Sequence, residues 1–150
     1  MNYDNISKGY DELYGVEQIK KARLILENIS IKKQDCLLDV GCGTGISTDL
    51  FECNKIGIDP SEKLIYQAVK RIPAMIGKAE DIPFQDNMFD IIICLTAIHN
   101  FDDFKKGIFE MKRVCKKDGK IIITILKKSE KADEIKKEID KELIIEKDLD

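Results

Sequence analysis

Residues 37–45 read Leu37-Leu38-Asp39-Val40-Gly41-Cys42-Gly43-Thr44-Gly45. An apolar run ends here in a glycine-rich turn, and a segment of helical spacing follows. Glycines let the backbone turn sharply and let a ligand approach with no Cβ in the way. A helix N-terminus behind such a loop favours negative groups. A tight strand-to-helix turn that binds nothing is the plainer reading of the glycines alone. The strand before them and the helix after them favour a binding loop. The spacing is G-x-G-x-G. A dinucleotide fingerprint is G-x-G-x-x-G/A, and Ile46 stands where that pattern needs Gly or Ala.

Outward from this stretch, short β-branched runs alternate with longer segments of period near 3.6. Upstream, the spacing predicts a helix over Val16–Ile29 with Ile19, Ala22, Leu26 and Ile29 as its stripe, then a strand over Cys36–Val40. Downstream come a short helix over Ile46–Cys53 and a strand over Lys55–Ile58 that ends at Asp59. Pro60 and Ser61 open a helix, with Ser61 as N-cap and Leu64, Ile65, Ala68, Val69 and Ile72 on one side. A short strand, Ala74–Ile76, a polar loop from Gly77 and a strand over Phe89–Leu95 follow. The next helix spans Asp102–Lys116 with Phe104, Ile108, Met111 and Cys115 on one face. Asp118-Gly119 is a turn signal before a strand over Lys120–Leu126. A charged helix over Ser129–Lys141 with a narrow seam of Ala132, Ile135, Ile139 and Leu143 closes the pattern, and Leu143–Glu146 is a candidate last strand.

Continuously apolar strands are covered on both faces, as in parallel sheets. Strands alternating with helices form βαβ units with right-handed crossovers. The expected fold is therefore α/β, a doubly wound and mostly parallel sheet with helices on both faces. Ligands in such sheets lie beyond the carboxyl ends of the strands, where the strand order switches. Asp59 at the tip of the second strand can grip two hydroxyls of a sugar. It can equally cap the helix that follows Pro60, and the two roles are compatible.

The 150 residues fit one domain, with 43% hydrophobic and 35% charged residues, which is a globular balance. A net charge of -3 gives no broad attraction for nucleic acid. The five cysteines include no C-x-x-C pair and read as reduced, mostly buried thiols of a cytoplasmic protein. With one histidine there is no metal-ligand constellation. The polar, aromatic start lacks a signal-peptide core, and runs such as Ile91–Leu95 are too short to cross a bilayer, so no membrane partner is expected.

Four stretches together resemble the class I S-adenosylmethionine-dependent methyltransferases, in particular the group that includes the quinone-biosynthesis C-methyltransferases. Leu37–Gly45 resembles their first motif, and Ile56-Gly57-Ile58-Asp59 their acidic second strand. Gly77-Lys78-Ala79-Glu80-Asp81-Ile82-Pro83-Phe84, with Asn87-Met88-Phe89-Asp90, is similar to their adenine loop and fourth strand. Val114–Lys120 resembles the turn into the fifth strand. The resemblance covers about Leu37 to Leu126 and implies a Rossmann-like fold with S-adenosyl-L-methionine as cofactor. It implies that Gly41, Cys42 and Gly43 meet the methionine portion, and that Asp39 and the Leu95 carbonyl take its ammonium group. Asp59, followed by Pro60, would hold the ribose. The Ala79 N–H and Glu80 would meet the adenine. Lys78 departs from the Asp common in relatives and cannot accept a hydrogen bond from the adenine amino group. Relatives finish the sheet with an antiparallel hairpin, of which the residues after Leu126 offer at most one strand, so the C-terminal strands are expected to be incomplete.

Methyl transfer is an in-line displacement that needs no leaving-group protonation, so alignment carries most of the catalysis. A base is required only where the acceptor must lose a proton. His99, just past the fourth strand, is the candidate, its unperturbed pKa of about 6.5 being suited to that role. The alternative is a histidine that closes the turn on backbone. Leu95-Thr96-Ala97-Ile98 stands where an Asn/Asp-Pro-Pro-Tyr motif would mark methylation of a planar amino nitrogen, which disfavours that class. Residues 1–15 carry Tyr3, Tyr10 and Tyr14. In the family such a segment folds over the cofactor as a lid, with Tyr10 near the methionine carboxylate or the acceptor, while aromatic packing of the first helix is the alternative. The expected function is methyl transfer to a small-molecule acceptor. A cofactor-binding subunit that needs a partner chain and a nucleotide-dependent oxidoreductase are the competing readings.

Overall fold

The computed structural model describes residues 7–126 and 128–140, with side chains over 15–126 and 128–139. Nine regular elements and two 3₁₀ turns carry the fold among the described residues. In chain order they are α1 (Ser7–Asn28), β1 (Cys36–Val40), β2 (Asn54–Asp59), α2 (Glu62–Ala68), β3 (Ala74–Ile76), β4 (Phe89–Leu95), α3 (Phe104–Val114), β5 (Cys115–Thr124) and α4 (Ala132–Asp140), with 3₁₀ turns at Thr48–Leu50 and Ile98–Asn100. The nine regular elements and these turns build one five-stranded sheet of order β3-β2-β1-β4-β5. Every described strand pair is parallel. The order reverses between β1 and β4, which places the switch point at the tips of these two strands.

Alternation along the strands sorts the core onto two faces. Leu38, Val40, Ile58, Ile92 and Cys94 pack on one face with Ile108, Met111 and Val114 of α3 and Ile135 of α4. Leu37, Ile91, Ile93 and Leu95 pack on the other with Ala22 and Ile25 of α1 and with Phe51. Ile65, Ala68 and Ile72 cover Cys42 at the glycine loop.

Several elements differ from the sequence reading. The helix expected over Ile46–Cys53 is reduced to the 3₁₀ turn Thr48–Leu50, because the third glycine adopts φ +79° and the chain needs several residues to leave the loop. Helix α2 ends at Ala68, so Val69 becomes its C-cap and is 54% exposed rather than part of the buried side. Ser61 is the N-cap as expected, its hydroxyl accepting the Leu64 N–H at 3.2 Å. Strand β5 starts at Cys115, not at Lys120. Phe89 pairs with Cys115 and Ile91 already with Lys120, so Asp118-Gly119 lies in a bulge inside the strand rather than in a turn before it. Helix α1 begins at Ser7, which makes residues 7–15 the first turns of that helix. Leu143–Glu146 and Tyr3 lie outside the described residues, as do the side chains of Tyr10 and Tyr14. All five cysteines are free, with Cys42, Cys94 and Cys115 buried and Cys36 and Cys53 half-buried. No described helix is long and apolar enough to cross a membrane.

Candidate active site

Strand β1 delivers Asp39 to the switch point. Its side chain is 1% exposed. One carboxylate oxygen, Oδ2, accepts the Thr48 hydroxyl at 2.7 Å. The other, Oδ1, is buried and has no hydrogen-bond partner among the described residues. Burial raises the carboxyl pKa to about 7, the Thr48 hydrogen bond opposes the rise, and the nearby Asp59 charge adds to it. A buried polar atom without a partner is expensive, and such atoms are rare unless a ligand supplies the missing group.

The loop after β1 turns through three glycines of positive φ, Gly41 at +81°, Gly43 at +56° and Gly45 at +79°. Gly41 and Cys42 donate their N–H groups to the Ile58 carbonyl at 2.8 and 3.0 Å, which ties the loop to β2. A Cβ on Gly41 would stand 2.6 Å from the Ala97 Cβ, so the loop also lies against the segment that leaves β4. Arg71, just past α2, donates from Nη1 to the Thr44 carbonyl at 3.0 Å and braces the far side of the loop. The Cys42 thiol is buried, and desolvation, with the Asp39 and Asp59 charges, pushes its pKa up. It is a packing group against Gly57, not a nucleophile.

Asp59 ends β2 and is 7% exposed. Its Oδ2 accepts the Gly43 N–H at 3.0 Å and its Oδ1 the Ser61 N–H at 2.9 Å. The side chain is thus aimed at the glycine loop and held by backbone on both oxygens. Pro60 follows and is exposed. The Ser61 N–H bond joins Asp59 to the entry of α2, whose N-cap is Ser61 itself.

The loop after β3 is built differently. Ala79 is buried in the α3-side core, Lys78 is exposed, and Glu80 is half-buried with Oε2 accepting the Asp103 N–H at 3.0 Å. Behind them Glu110 of α3, 5% exposed, accepts the Ile82 N–H at 3.0 Å and the Arg113 Nε–H at 2.6 Å. Arg113 in turn donates to the Ile82 and Phe84 carbonyls at 2.8 and 2.9 Å and to Asp86 at 2.8 Å. This pair fixes the loop on α3, and neither residue stood out in the sequence.

At the tip of β4 the Leu95 carbonyl accepts a hydrogen bond from Gln18 Nε2 of α1 at 3.4 Å. Gln18 also donates to the Thr96 hydroxyl at 3.3 Å and is 5% exposed. Thr96 is one of two described non-glycine residues with positive φ, at +49°. Its N–H donates to Thr124 Oγ1 at 2.7 Å. The chain then enters the 3₁₀ turn that carries His99, which is half-buried with Nδ1 enclosed and without a hydrogen-bond partner among the described residues. Burial lowers the imidazole pKa, and Lys21 and Lys131 lower it further.

The structure therefore brings Asp39, Gly41, Cys42, Gly43, Asp59, Leu95 and Ala97 together at the β1–β4 switch point. Lys78 and Glu80 stand on the separate loop after β3. Gln18, Thr96, Glu110 and Arg113 brace the adjoining segments, and residue patterns did not reveal them. Among the described residues, no group of three or more His, Cys, Asp or Glu side chains could hold a metal ion.

Residues 38–123 match a protein family described as the methyltransferase domain. YcgJ of Bacillus subtilis, named an uncharacterized methyltransferase, is 32% identical over 113 residues, which cover 67% of this chain and 44% of YcgJ. The YcgJ crystal structure superposes with a TM-score of 0.67 at 29% identity, over 69% of this chain and 49% of that one. A demethylmenaquinone methyltransferase of Staphylococcus aureus is 27% identical over 136 residues, 80% of this chain and 56% of the enzyme. A Thermotoga maritima structure described as a SAM-dependent methyltransferase superposes with a TM-score of 0.69 at 25% identity, covering 81% of this chain and 58% of that one. The chain spans about half the length of the curated relatives it matches.

Proposed function

The chain belongs to the methyltransferase-domain family, whose cofactor is S-adenosylmethionine, and from that premise we propose that it acts as one domain that transfers a methyl group to a small-molecule acceptor by in-line displacement. The observation that carries this reading is the buried, unpartnered Asp39 Oδ1 beside a loop of positive-φ glycines. A carboxylate enclosed in this way fits a cationic donor, and the ammonium group of the cofactor is one. The Leu95 carbonyl, already held by Gln18, has a lone pair left for the same group. The bare backbone of Gly41, Cys42 and Gly43 fits a ligand that packs closely. Asp59, pre-oriented by the Gly43 and Ser61 N–H groups, is set to accept from ribose hydroxyls. The Ala79 N–H and Glu80 are assigned to the adenine.

S-adenosylmethionine, when bound, supplies an electrophilic methyl on a sulfonium sulfur. The residues of this chain bind and align, and His99 receives a proton where the acceptor must release one. Its lowered pKa keeps the ring neutral near pH 7, the state a base requires. The test is calorimetric titration with S-adenosylhomocysteine and, separately, with NAD. Binding of the first and not of the second is expected. Preference for NAD would overturn the reading in favour of an oxidoreductase.

A further inference from the structure

Strand β3 is one edge of the sheet, and no described strand covers its outer side. Its ladder with β2 fixes which backbone groups face outward. The Pro73 carbonyl accepts the Gly57 N–H at 3.0 Å, and the Gly77 N–H donates to the Asp59 carbonyl at 3.2 Å. Alternate residues of a strand bond to the same neighbour, so Met75 turns its N–H and C=O toward β2 as well. Ala74 and Ile76 turn theirs outward. Pro73 does not blunt this edge, because its missing N–H belongs to the inner side. Nor does the strand carry a charged residue.

The flanks of the edge are apolar. Half of the large apolar side chains exposed among the described residues fall between Tyr66 and Ile76, namely Tyr66, Val69, Met75 and Ile76. Tyr66 is 68% exposed and Ile76 53%. Alternation puts Ala74 and Ile76 on the α2 side of the sheet, where Ala74 packs with Ile65 and Ala68, and puts Met75 on the other side. On α2 the helical period sets the buried Leu64 on one flank and Glu62, Tyr66 and Val69 on the other. Apolar surface gathered in this way marks an interaction site.

We propose that β3 and α2 form the interface of a symmetric dimer, in which β3 pairs antiparallel with β3 of a second copy of this chain. Backbone parity, helix spacing and charge all select a second copy. A two-fold axis at Met75 sets Ala74 opposite Ile76 of the second copy, and these are the residues whose N–H and C=O groups face outward. A small side chain then lies against a large one. Helix α2 packs on both β2 and β3, so its two-fold mate lies two strand spacings away, roughly 10 Å. That is about the distance at which helices pack. The two helices run antiparallel, and pairing them about Tyr66 sets Glu62 opposite Lys70 of the second copy. The Lys70 ammonium already lies on this flank, 4.9 Å from the Tyr66 ring centre. One continuous sheet then crosses both copies. This inference does not depend on the methyltransferase reading.

Sedimentation equilibrium of the full chain over a wide range of concentration is expected to show a reversible monomer–dimer equilibrium. Amide hydrogen exchange locates the interface. Ala74 and Ile76 are expected to be protected only where the dimer forms, and Met75 at every concentration. Ile76→Lys is expected to weaken dimerisation by about tenfold or more. Tyr66→Ala, at a more exposed position, gives the same test without risk to the fold. Glu62→Lys is expected to weaken the dimer, and adding Lys70→Glu to restore it, because the pairs re-form with their signs exchanged. Four results would each overturn the proposal. They are a chain that stays monomeric throughout, a dimer untouched by both Ile76→Lys and Tyr66→Ala, Ala74 and Ile76 amides that exchange alike in monomer and dimer, and a double exchange no tighter than Glu62→Lys alone.

Discussion

The Asp59 carboxylate accepts the Gly43 N–H at 3.0 Å, which makes the acid at the tip of β2 and the loop after β1 one mechanical unit. Removing the side chain therefore acts twice, on the group offered to a ribose and on the loop that carries the rest of the site. Asp59→Ala is expected to weaken S-adenosylhomocysteine binding by about tenfold or more, roughly 1.4 kcal/mol. Isothermal calorimetry at fixed pH measures it. Unchanged affinity in a folded variant would remove Asp59 from the site.

Asp39 gives a prediction with a defined pH sign. Its folded-state pKa is raised to about 7 from an ordinary 3.8. The native state therefore holds a proton that the unfolded chain releases first. The stabilising contribution is full below the ordinary value and is lost as pH rises through about 7. Asp39→Asn keeps an oxygen for the Thr48 hydroxyl and removes the charge. It is expected to be more stable than the parent at pH 8, with a flatter stability profile between pH 4 and 7, and to bind S-adenosylhomocysteine about tenfold less tightly. Urea denaturation across that range, paired with calorimetry, reads both effects. A variant that is less stable at pH 8 would contradict the account.

The contrast between these two aspartates and their neighbours shows what the sequence can and cannot carry. Cys36–Val40, Ala74–Ile76 and Phe89–Leu95 were legible to the residue, because apolar β-branched runs bounded by turn residues leave few alternatives. Gly41 and Asp59 were legible as a glycine and an acid at the tips of apolar strands, whereas Asp39 was singled out by the family resemblance alone. Gln18 and Glu110 were not. Each is a polar side chain on a helix whose polar positions read as solvent-facing, yet both are 5% exposed. Their burial depends on a distant partner, the tip of β4 for Gln18 and Arg113 with the loop after β3 for Glu110, and no periodicity encodes such a partner. Val69 failed in the opposite sense. It falls on the apolar side by spacing, but α2 ends one residue before it. The bulge at Asp118-Gly119 was misread because a turn signal does not say whether the chain resumes the same strand.

The Glu110–Arg113 pair predicts an acid limb to stability. The Arg113 hydrogen bond, helped by the Ile82 N–H, holds the Glu110 carboxyl below the usual carboxylate range. A depressed carboxylate stabilises above its unfolded-state pKa, and that contribution is lost as pH falls through the folded-state value. Arg113→Met removes the guanidinium and leaves a buried acid, for a loss of roughly 3 kcal/mol at pH 7. Glu110→Gln with Arg113→Met removes both charges and is expected to recover part of it. Denaturant midpoints at pH 7 and pH 4 check both statements. If Arg113→Met costs as much at pH 4 as at pH 7, the ion pair is not the source of the effect.

The close approach of the glycine loop to the exit from β4 gives the last prediction. Gly41 has φ +81°, and an added Cβ would lie 2.6 Å from the Ala97 Cβ. Gly41→Ala therefore meets two separate penalties, backbone strain and a clash. Left-handed strain alone costs about 1–2 kcal/mol for an L residue, and overpacking adds about 1–3 kcal/mol. Ala97→Gly removes the second penalty and leaves the first. The double variant is thus expected to be more stable than Gly41→Ala alone by at least about 1 kcal/mol, after correction for the effect of Ala97→Gly by itself. It is still expected to bind S-adenosylhomocysteine less tightly than the parent, because the left-handed strain at residue 41 remains in the loop. A double-mutant cycle in urea, with calorimetry on each corner, measures the coupling. Purely additive stabilities would show that the loop and residue 97 do not touch, and that the positive φ alone explains the glycine.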